Sequence, residues 1–274
     1  MNIKSLASLA DGFSETGKMP VAFIGHGNPM NAIENNVFVE GFKTLGKGLP
    51  KPQAIVCVSA HWETYGTRIT AMESPRTIYD FGGFPEALYQ ENYPAPGDPS
   101  LANEIVTTPS KFPKELDYQW GLDHGTWTVV KHLYPNCDVP VVQMSLDRGL
   151  SMEQHAELAR ELDFLRYRGV LIIGSGNIVH NLRMVDWNKL KEPFGYDWAE
   201  VANSKIKDLI ISRDLKGLSR VERSGMEMNL AIPTAEHYLP LLYTMGLAKS
   251  DEQHYFFNDI SIGGSLSMCS VVLG

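Results

Sequence analysis

"VAFIGHGNP", residues 21–29, begins as an apolar run and reaches a histidine, His26, that stands between two glycines. "AIVCVSAHW", residues 54–62, is likewise an apolar run followed by a histidine, His61. A short run that is apolar at every position predicts a strand buried on both faces, as in a sheet covered by helices. Ligands of open α/β sheets bind beyond the carboxyl ends of such strands. Both imidazoles are therefore predicted to lie at a ligand-binding edge.

Further apolar runs extend this pattern along the chain. They predict strands over 139–145, 170–174 and 266–273. Helical spacing between the runs predicts a helix over 197–212 and another over 152–168. Strands and helices alternate along the chain, and no linker separates two regions of different composition. This pattern predicts a single α/β domain with one central sheet, parallel or mixed, flanked by helices.

The helix predicted over 152–168 has the clearest end signals. Ser151 can cap its first turn, and Gln154 stands at the capping-box position. Arg166 and Arg168 are placed in the last turn, where cations complement the helix dipole, and Gly169 is suited to the position after the helix.

Composition narrows the class of protein. The 274 residues are 43% hydrophobic with a net charge of −8, and no cluster of Lys and Arg could follow a nucleic-acid backbone, so no nucleic-acid partner is expected. No apolar stretch approaches the roughly 18 residues of a membrane span, so no membrane partner is expected. The three cysteines form no C-x-x-C pair, and the N-terminus lacks a signal-peptide core, which together predict a cytoplasmic protein.

Two connections, 73–99 and 108–123, are longer than ordinary loops, and long loops often serve function. The stretch "IYDFGGFPEALY" in the first of them is a candidate substrate wall or lid. Its aromatic residues Tyr79, Phe81 and Phe84 either wall a ring-shaped substrate or pack inside the protein.

Five of the eight histidines share a context of glycines and apolar runs. Besides His26 and His61, His180 follows the run "VLIIGSGNIV", and His124 lies in the loop "WGLDHGTW". His237, in "PTAEHYLPLL", is predicted in the first turn of a helix capped by Thr234, where the dipole keeps the imidazole neutral and able to bind a metal. The remaining three, His132, His155 and His254, receive no role. Either the five satisfy buried polar groups, or they form a histidine-rich metal site.

Other motifs do not support competing functions. "GSGNIVHN" begins like a dinucleotide-binding loop, but Val179 stands where the third glycine belongs. Ser175 lacks the glycine two residues earlier that a nucleophile elbow requires.

Seven segments in order resemble one known family. "FIGHGNPMNAIENN", "PQAIVCVSAHWET", "YDFGGFPEALY", "YPAPGDP", "GLDHGTW", "GSGNIVHNLR" and "TAEHYLPLLY" together resemble the DOPA 4,5-extradiol dioxygenase branch of the class III extradiol ring-cleavage dioxygenases. The resemblance covers residues 19–274 and implies one catalytic domain with a mixed sheet, preceded by an N-terminal extension, residues 1–18. It implies cleavage of a catechol such as DOPA by O₂ to a muconic semialdehyde, at a mononuclear non-haem metal.

The resemblance also implies roles for the histidines. His26, His61 and His237 match metal ligands. His180 matches a residue at the metal that either ligates it or acts as the base, and His124 matches an acid/base group facing substrate and oxygen. Asp123 either orients His124 or caps a turn.

The expected cofactor is Fe(II), with Zn(II) possible in the purified protein. Oxygen-activating iron sites commonly use two histidines and one carboxylate, and Glu236 is the only carboxylate beside His237. A set of imidazoles alone also suits zinc, which has no redox chemistry. Two alternatives therefore stay open at this point: a zinc-dependent hydrolase and a non-catalytic metal-binding protein. The sequence carries no signal for the oligomeric state.

Overall fold

The computed structural model describes residues 17–274 of the chain. Within that range lie ten strands: β1 Val21–Gly25, β2 Ala54–Thr64, β3 Thr67–Thr70, β4 Lys114–Asp117, β5 Val141–Asp147, β6 Val170–Gly176, β7 His254–Phe257, β8 Ser261–Ile262, β9 Leu266–Ser267 and β10 Ser270–Leu273. The same range holds ten α-helices: α1 Val37–Gly48, α2 Glu86–Tyr89, α3 Pro99–Thr107, α4 His124–Leu133, α5 Met152–Arg160, α6 Asp163–Arg166, α7 Asp197–Ile211, α8 Leu215–Leu218, α9 Met226–Ala231 and α10 Leu239–Leu247. The predicted extension, residues 1–18, falls almost wholly outside the described residues.

Eight strands form one mixed sheet in the order β4-β3-β5-β2-β6-β1-β10-β7. The four central strands β5, β2, β6 and β1 run parallel to one another. β10 pairs antiparallel with β1, and β3 pairs antiparallel with β5. The predicted α/β fold with a central mixed sheet is confirmed, and the carboxyl ends of the central strands meet at one edge.

Both faces of the sheet are covered by helices, which explains the unbroken apolar runs. In β1, Val21 and Phe23 pack into the core on the side of α5, α7 and α10. Ala22 and Ile24, which alternate with them, pack on the opposite side with α1 and α4. Each large apolar side chain buried in this way contributes roughly 1.5–3 kcal/mol to folding.

The predicted strands are present with shifted or divided bounds. β5 and β6 each continue two residues beyond the predicted end, and the run 266–273 is divided into β9 and β10. β2 continues to Thr64 through an irregular register between Val58 and Glu63. A strand can continue past its apolar run because its end is set by the hydrogen bonds to neighbouring strands and not by the polarity of its side chains.

The helix predicted over 152–168 is divided. Ser151 caps α5 with the predicted capping box, in which the Gln154 side chain bonds the Ser151 backbone N–H. The helix then ends at Arg160 and resumes as the single turn α6. The helix predicted over 197–212 is present as α7, one residue shorter. The predicted loop 108–123 contains β4, an edge strand that is too short to show a period of two.

Arg166 is buried, although its place in a last helical turn predicted only an interaction with the helix dipole. Its Nε donates to the Met19 carbonyl over 2.8 Å, and Nη1 donates to the Leu247 carbonyl over 2.9 Å. Nη2 donates to the carboxylate of Glu252, which is also buried. One guanidinium thus joins the segment before β1, the end of α10 and the segment before β7.

Among residues 17–274, none of the helices combines the length and the apolar character that crossing a membrane requires.

We expect Arg166→Ala to lower the free energy of unfolding by about 3–5 kcal/mol, because the Glu252 carboxylate and two carbonyls lose a buried partner. Arg168→Ala is the matched control, since Arg168 pairs with Glu104 on the surface and exposed pairs contribute at most about 1 kcal/mol. Urea denaturation of both variants measures the difference. Equal losses would contradict the buried role of Arg166.

Candidate active site

His26 and His61 are positioned by β1 and β2, the two strands that flank β6 in the parallel part of the sheet. His26 directly follows β1, and its backbone N–H donates to the Gly176 carbonyl of β6 over 3.1 Å. His61 lies inside β2, in the irregular stretch, and not after the strand as predicted. The two imidazole centroids are 5.0 Å apart, and the two Nε2 atoms are 3.1 Å apart.

His237 reaches the same edge from a turn that precedes α10. The prediction that Thr234 caps a helix containing His237 is wrong: α10 begins at Leu239, and the Thr234 hydroxyl donates to Glu236 instead. Pro240 stands in the first turn of α10, where proline fits well because no backbone N–H is required there.

Glycines of β6 allow this turn to lie against the sheet. A Cβ on Gly176 would collide with the backbone carbonyl of His237, and one on Gly174 would collide with the Pro240 carbonyl. The next residue, Asn177, donates its backbone N–H to the His237 carbonyl over 2.9 Å. The "GSG" of the sequence therefore serves close packing of the His237 turn, which explains why it lacks the remainder of a dinucleotide motif.

His26, His61 and His237 converge on one point. The His237 ring centroid lies 5.4 Å from that of His26 and 4.9 Å from that of His61. One ring nitrogen from each residue lies within 4.8 Å of the other two. Nitrogens bound at about 2.1 Å to a tetrahedral ion are roughly 3.4 Å apart, so the spacing suits a metal.

Each of the three imidazoles has its Nδ1 facing another group. His26 Nδ1 lies 3.0 Å from the Ser175 hydroxyl, which itself donates to the Gly125 carbonyl and so accepts from the imidazole. His237 Nδ1 bonds the Glu236 carboxylate over 3.1 Å. His61 Nδ1 lies 3.5 Å from the Asp80 carboxylate. Protonation at Nδ1 leaves the Nε2 lone pairs free, which is the tautomer that binds a metal.

Burial favours the neutral form of these imidazoles. Desolvation, reinforced by the neighbouring histidines, holds the pKa of His26 and that of His61 well below the usual value. Desolvation also lowers the pKa of His237, although the hydrogen bond to Glu236 acts in the opposite direction. Neutral rings whose lone pairs face one another fit a bound cation, so the donor set fits a metal ion.

His180 lies beside this group and not within it. Its ring stacks on His237 with centroids 3.5 Å apart and planes within 6°. One ring nitrogen of His180, with one donor atom each from Glu236 and His237, forms a second group that could hold a metal ion. Burial, followed by the proximity of His237, lowers the pKa of His180 to about 3. The carboxylate of Glu236 faces both rings and does not approach His26 or His61 as a donor.

His124 is the first residue of α4 and not part of a loop. Asp123 caps the helix by accepting from the Thr126 backbone N–H over 3.1 Å. The structure thus decides between the two roles considered for Asp123: it caps α4, is fully buried and accepts from the Ser59 hydroxyl over 2.7 Å. Burial, with a smaller effect of the Asp80 charge, raises the pKa of Asp123 to about 6.

Asp80 contacts His124 and was not recognised in the sequence. Its carboxylate accepts from the His124 backbone N–H and lies against His124 Nδ1, each over 2.8 Å. The available signal was a single acidic residue beside the glycine pair of "YDFGG", inside a long loop.

A cavity of about 550 Å³ opens above the histidines. Of the three aromatic residues that either wall a substrate or pack, Phe81 and Phe84 line the cavity, whereas Tyr79 does not: its ring is edge-on to Phe81 and its hydroxyl donates to the Glu91 carbonyl. Leu182 and Trp187 also line the cavity, are both exposed and were not identified as wall residues. Apolar walls around a few convergent polar groups are typical of a small-molecule site.

The histidines without an assigned role lie outside the cavity. His132 bonds the Asn31 carbonyl over 2.7 Å, His155 bonds the Tyr243 hydroxyl over 3.0 Å, and His254 lies on β7. Their partners are ordinary structural ones.

Comparisons with known proteins identify the family of the chain. Residues 22–263 match the family described as the catalytic LigB subunit of aromatic ring-opening dioxygenase. A 4,5-DOPA dioxygenase extradiol of Escherichia coli K12 is 44% identical over 265 residues, which cover 94% of this chain and 95% of that protein. A protein of the same name from Beta vulgaris is 35% identical, over 93% of this chain and 96% of its own length.

A solved structure agrees in fold. The crystal structure of an uncharacterized protein from Escherichia coli K12 superimposes with a TM-score of 0.81 and 40% identity, covering 94% of this chain and 100% of the other. The chain belongs to the LigB family of aromatic ring-opening dioxygenases and is an extradiol ring-opening enzyme.

Proposed function

We propose that this enzyme cleaves the ring of a catechol such as DOPA with O₂, beside the two hydroxyl groups, to give a muconic semialdehyde. The observation that carries the proposal is the convergence of His26, His61 and His237 below an apolar cavity of about 550 Å³. DOPA is proposed because it stands in the names of relatives that match nearly the whole chain.

The proposed metal ligands are His26, His61 and His237, with Fe(II) as the active ion. A bound ferrous ion supplies the electron transfer between a catechol and O₂, which zinc cannot supply. His180 is proposed as a further group at the metal, because its ring is stacked on His237.

His124 is proposed as the acid/base group. Its Nδ1 is engaged by Asp80, so Nε2 is the nitrogen available to the cavity that the ring lines. A neutral Nε2 can take a proton from a catechol hydroxyl and later return it to an oxygen of the product. His180 is the second candidate for the first of these transfers, since it lines the same cavity.

The cavity walls are proposed to hold the ring and to exclude water. Phe81 lies with its ring edge-on to His124, with centroids 5.6 Å apart, so a flat substrate above the histidines would contact its surface. Leu182 and Trp187 line the same cavity. We propose residues 19–274 as the catalytic domain that contains all of these groups.

His26→Ala is expected to reduce the bound metal from about one ion per chain to nearly none, because a ligand on the buried side of the site is lost. His254→Ala is the matched control, a histidine on β7 outside the cavity, and is expected to bind metal fully. Metal analysis by mass spectrometry after dialysis measures both. Full occupancy in a folded His26→Ala protein would refute the ligand assignment.

Iron, and not zinc, is expected to support ring opening. The metal-free protein is reconstituted anaerobically with Fe(II) or Zn(II), and catechol and oxygen are then added. Oxygen uptake and the semialdehyde product are expected with iron alone, because the reaction requires a redox-active ion. Hydrolysis of an amide or ester by the zinc form, without oxygen uptake by the iron form, would favour a hydrolase instead.

His124→Phe is expected to retain the metal and to slow turnover of DOPA by roughly 10²–10⁴-fold, the usual effect of removing a positioned acid/base group. Phenylalanine keeps the ring volume next to His61 but has no ring nitrogen. Metal content and oxygen uptake are measured on the same preparation. Loss of metal would make His124 a ligand, and unchanged turnover would remove it from the mechanism.

A further inference from the structure

We propose that Asp80 is the positioning residue of the site: it fixes the tautomer and orientation of His124 and, through the same carboxylate, holds His61 in register with it. This inference rests on the proposed acid/base role of His124. No part of it requires Asp80 to touch the substrate.

Both carboxylate oxygens of Asp80 are engaged by one residue. Oδ1 accepts from the backbone N–H of His124, and Oδ2 faces Nδ1 of the same residue, each over 2.8 Å. A carboxylate held at two points fixes both the start of α4 and the rotation of the imidazole. Because the ionised carboxylate has no proton to donate, Nδ1 must carry the hydrogen and Nε2 keeps its lone pair.

The same oxygen also lies near the metal-binding group. Oδ2 of Asp80 is 3.5 Å from Nδ1 of His61, and the ring centroids of His61 and His124 are 3.9 Å apart. Carboxylates that face the outer nitrogen of a ligating histidine orient it and strengthen it as a ligand. One side chain therefore sets the relative position of a proposed ligand and the proposed acid/base group.

The segment that carries Asp80 is itself fixed to α4. Ile78 donates its backbone N–H to the Leu122 carbonyl over 2.8 Å, two residues before His124. The Ile78 carbonyl accepts from the indole N–H of Trp127 over 3.0 Å, one turn into α4. One backbone bond before His124 and one side-chain bond after it thus hold Asp80 and the imidazole in one rigid unit, which a positioning residue requires.

A direct metal-binding role is the competing interpretation. His61, Asp80 and His124 each offer an atom within 4.8 Å of the others, so these three residues could hold an ion. The hydrogen bond between His124 Nδ1 and Asp80 argues against it, because an ion bound to that nitrogen would have to displace this bond. Metal content separates the two roles.

Asp80→Asn tests the proposal. The amide oxygen can still accept from the His124 backbone, but its NH₂ group then faces Nδ1 and favours a proton on Nε2, the wrong tautomer for a base. We expect full metal content, an unchanged melting temperature within a few degrees, a kcat for DOPA reduced roughly 10²–10⁴-fold, and a KM changed less than about threefold. Glu91→Gln is the matched control, a carboxylate of the same connection that pairs with Lys131 of α4, and is expected to leave kcat unchanged.

A double variant shows whether Asp80 acts through His124. In the His124→Phe background, Asp80→Asn is expected to change kcat less than about threefold, since the group that it positions is already absent. Multiplicative losses in the double variant would overturn the proposal, as would unchanged kcat in the single variant. Loss of metal in Asp80→Asn would assign Asp80 as a ligand and overturn it equally.

Histidine ring ¹⁵N spectra give a readout that does not depend on activity. In the zinc-loaded wild type, the His124 signal, assigned by its absence in His124→Phe, is expected to report a proton on Nδ1. In Asp80→Asn it is expected to report a proton on Nε2. The same tautomer in both proteins would refute the positioning role. A wild type with the expected tautomer that opens no catechol would instead refute the proposed function.

Discussion

The close approach of two buried imidazoles sets the constraint on which the rest of the structure depends. His26 Nε2 and His61 Nε2 are 3.1 Å apart, and both outer nitrogens face other groups. Burial lowers the pKa of both rings, which favours the neutral form that can bind a metal. Such a pair fits a cation between the rings, and the surrounding fold holds the rings in place with few degrees of freedom. The sheet supplies this rigidity, because His26 directly follows β1 and His61 lies within β2, and both strands are hydrogen-bonded on either side.

The groups behind the imidazoles differ in kind. A hydroxyl, Ser175, serves His26, and a carboxylate, Glu236, serves His237. Asp80 is shared between His61 and His124. A carboxylate makes its imidazole a stronger donor than a hydroxyl does, so the three proposed ligands are not equivalent.

The residue that joins segments of the fold and the residues proposed for the chemistry lie at different ends of the sheet. Arg166, which joins three segments through buried bonds, lies before the amino end of β6, whereas the histidines gather at its carboxyl edge. Gly176 lets the His237 turn lie against the sheet, because a Cβ there would collide with the His237 backbone carbonyl. The two glycines of β6 contribute no side chain to the core, and the packing of the core on both faces of the strand compensates for this loss.

The sequence by itself determined the buried strands, the mixed α/β architecture and the five histidines of the cavity. These features follow from apolar runs, local capping signals and ordered motifs, which are properties of neighbouring residues. Only the tertiary structure decided that His61 lies within β2, that His180 stacks on His237 instead of joining His26 and His61, and that Asp80, not Asp123, holds His124. Asp80 and His124 are 44 residues apart along the chain. Contacts across that separation depend on how the long loop is bonded to Leu122 and Trp127, and no local pattern encodes that path.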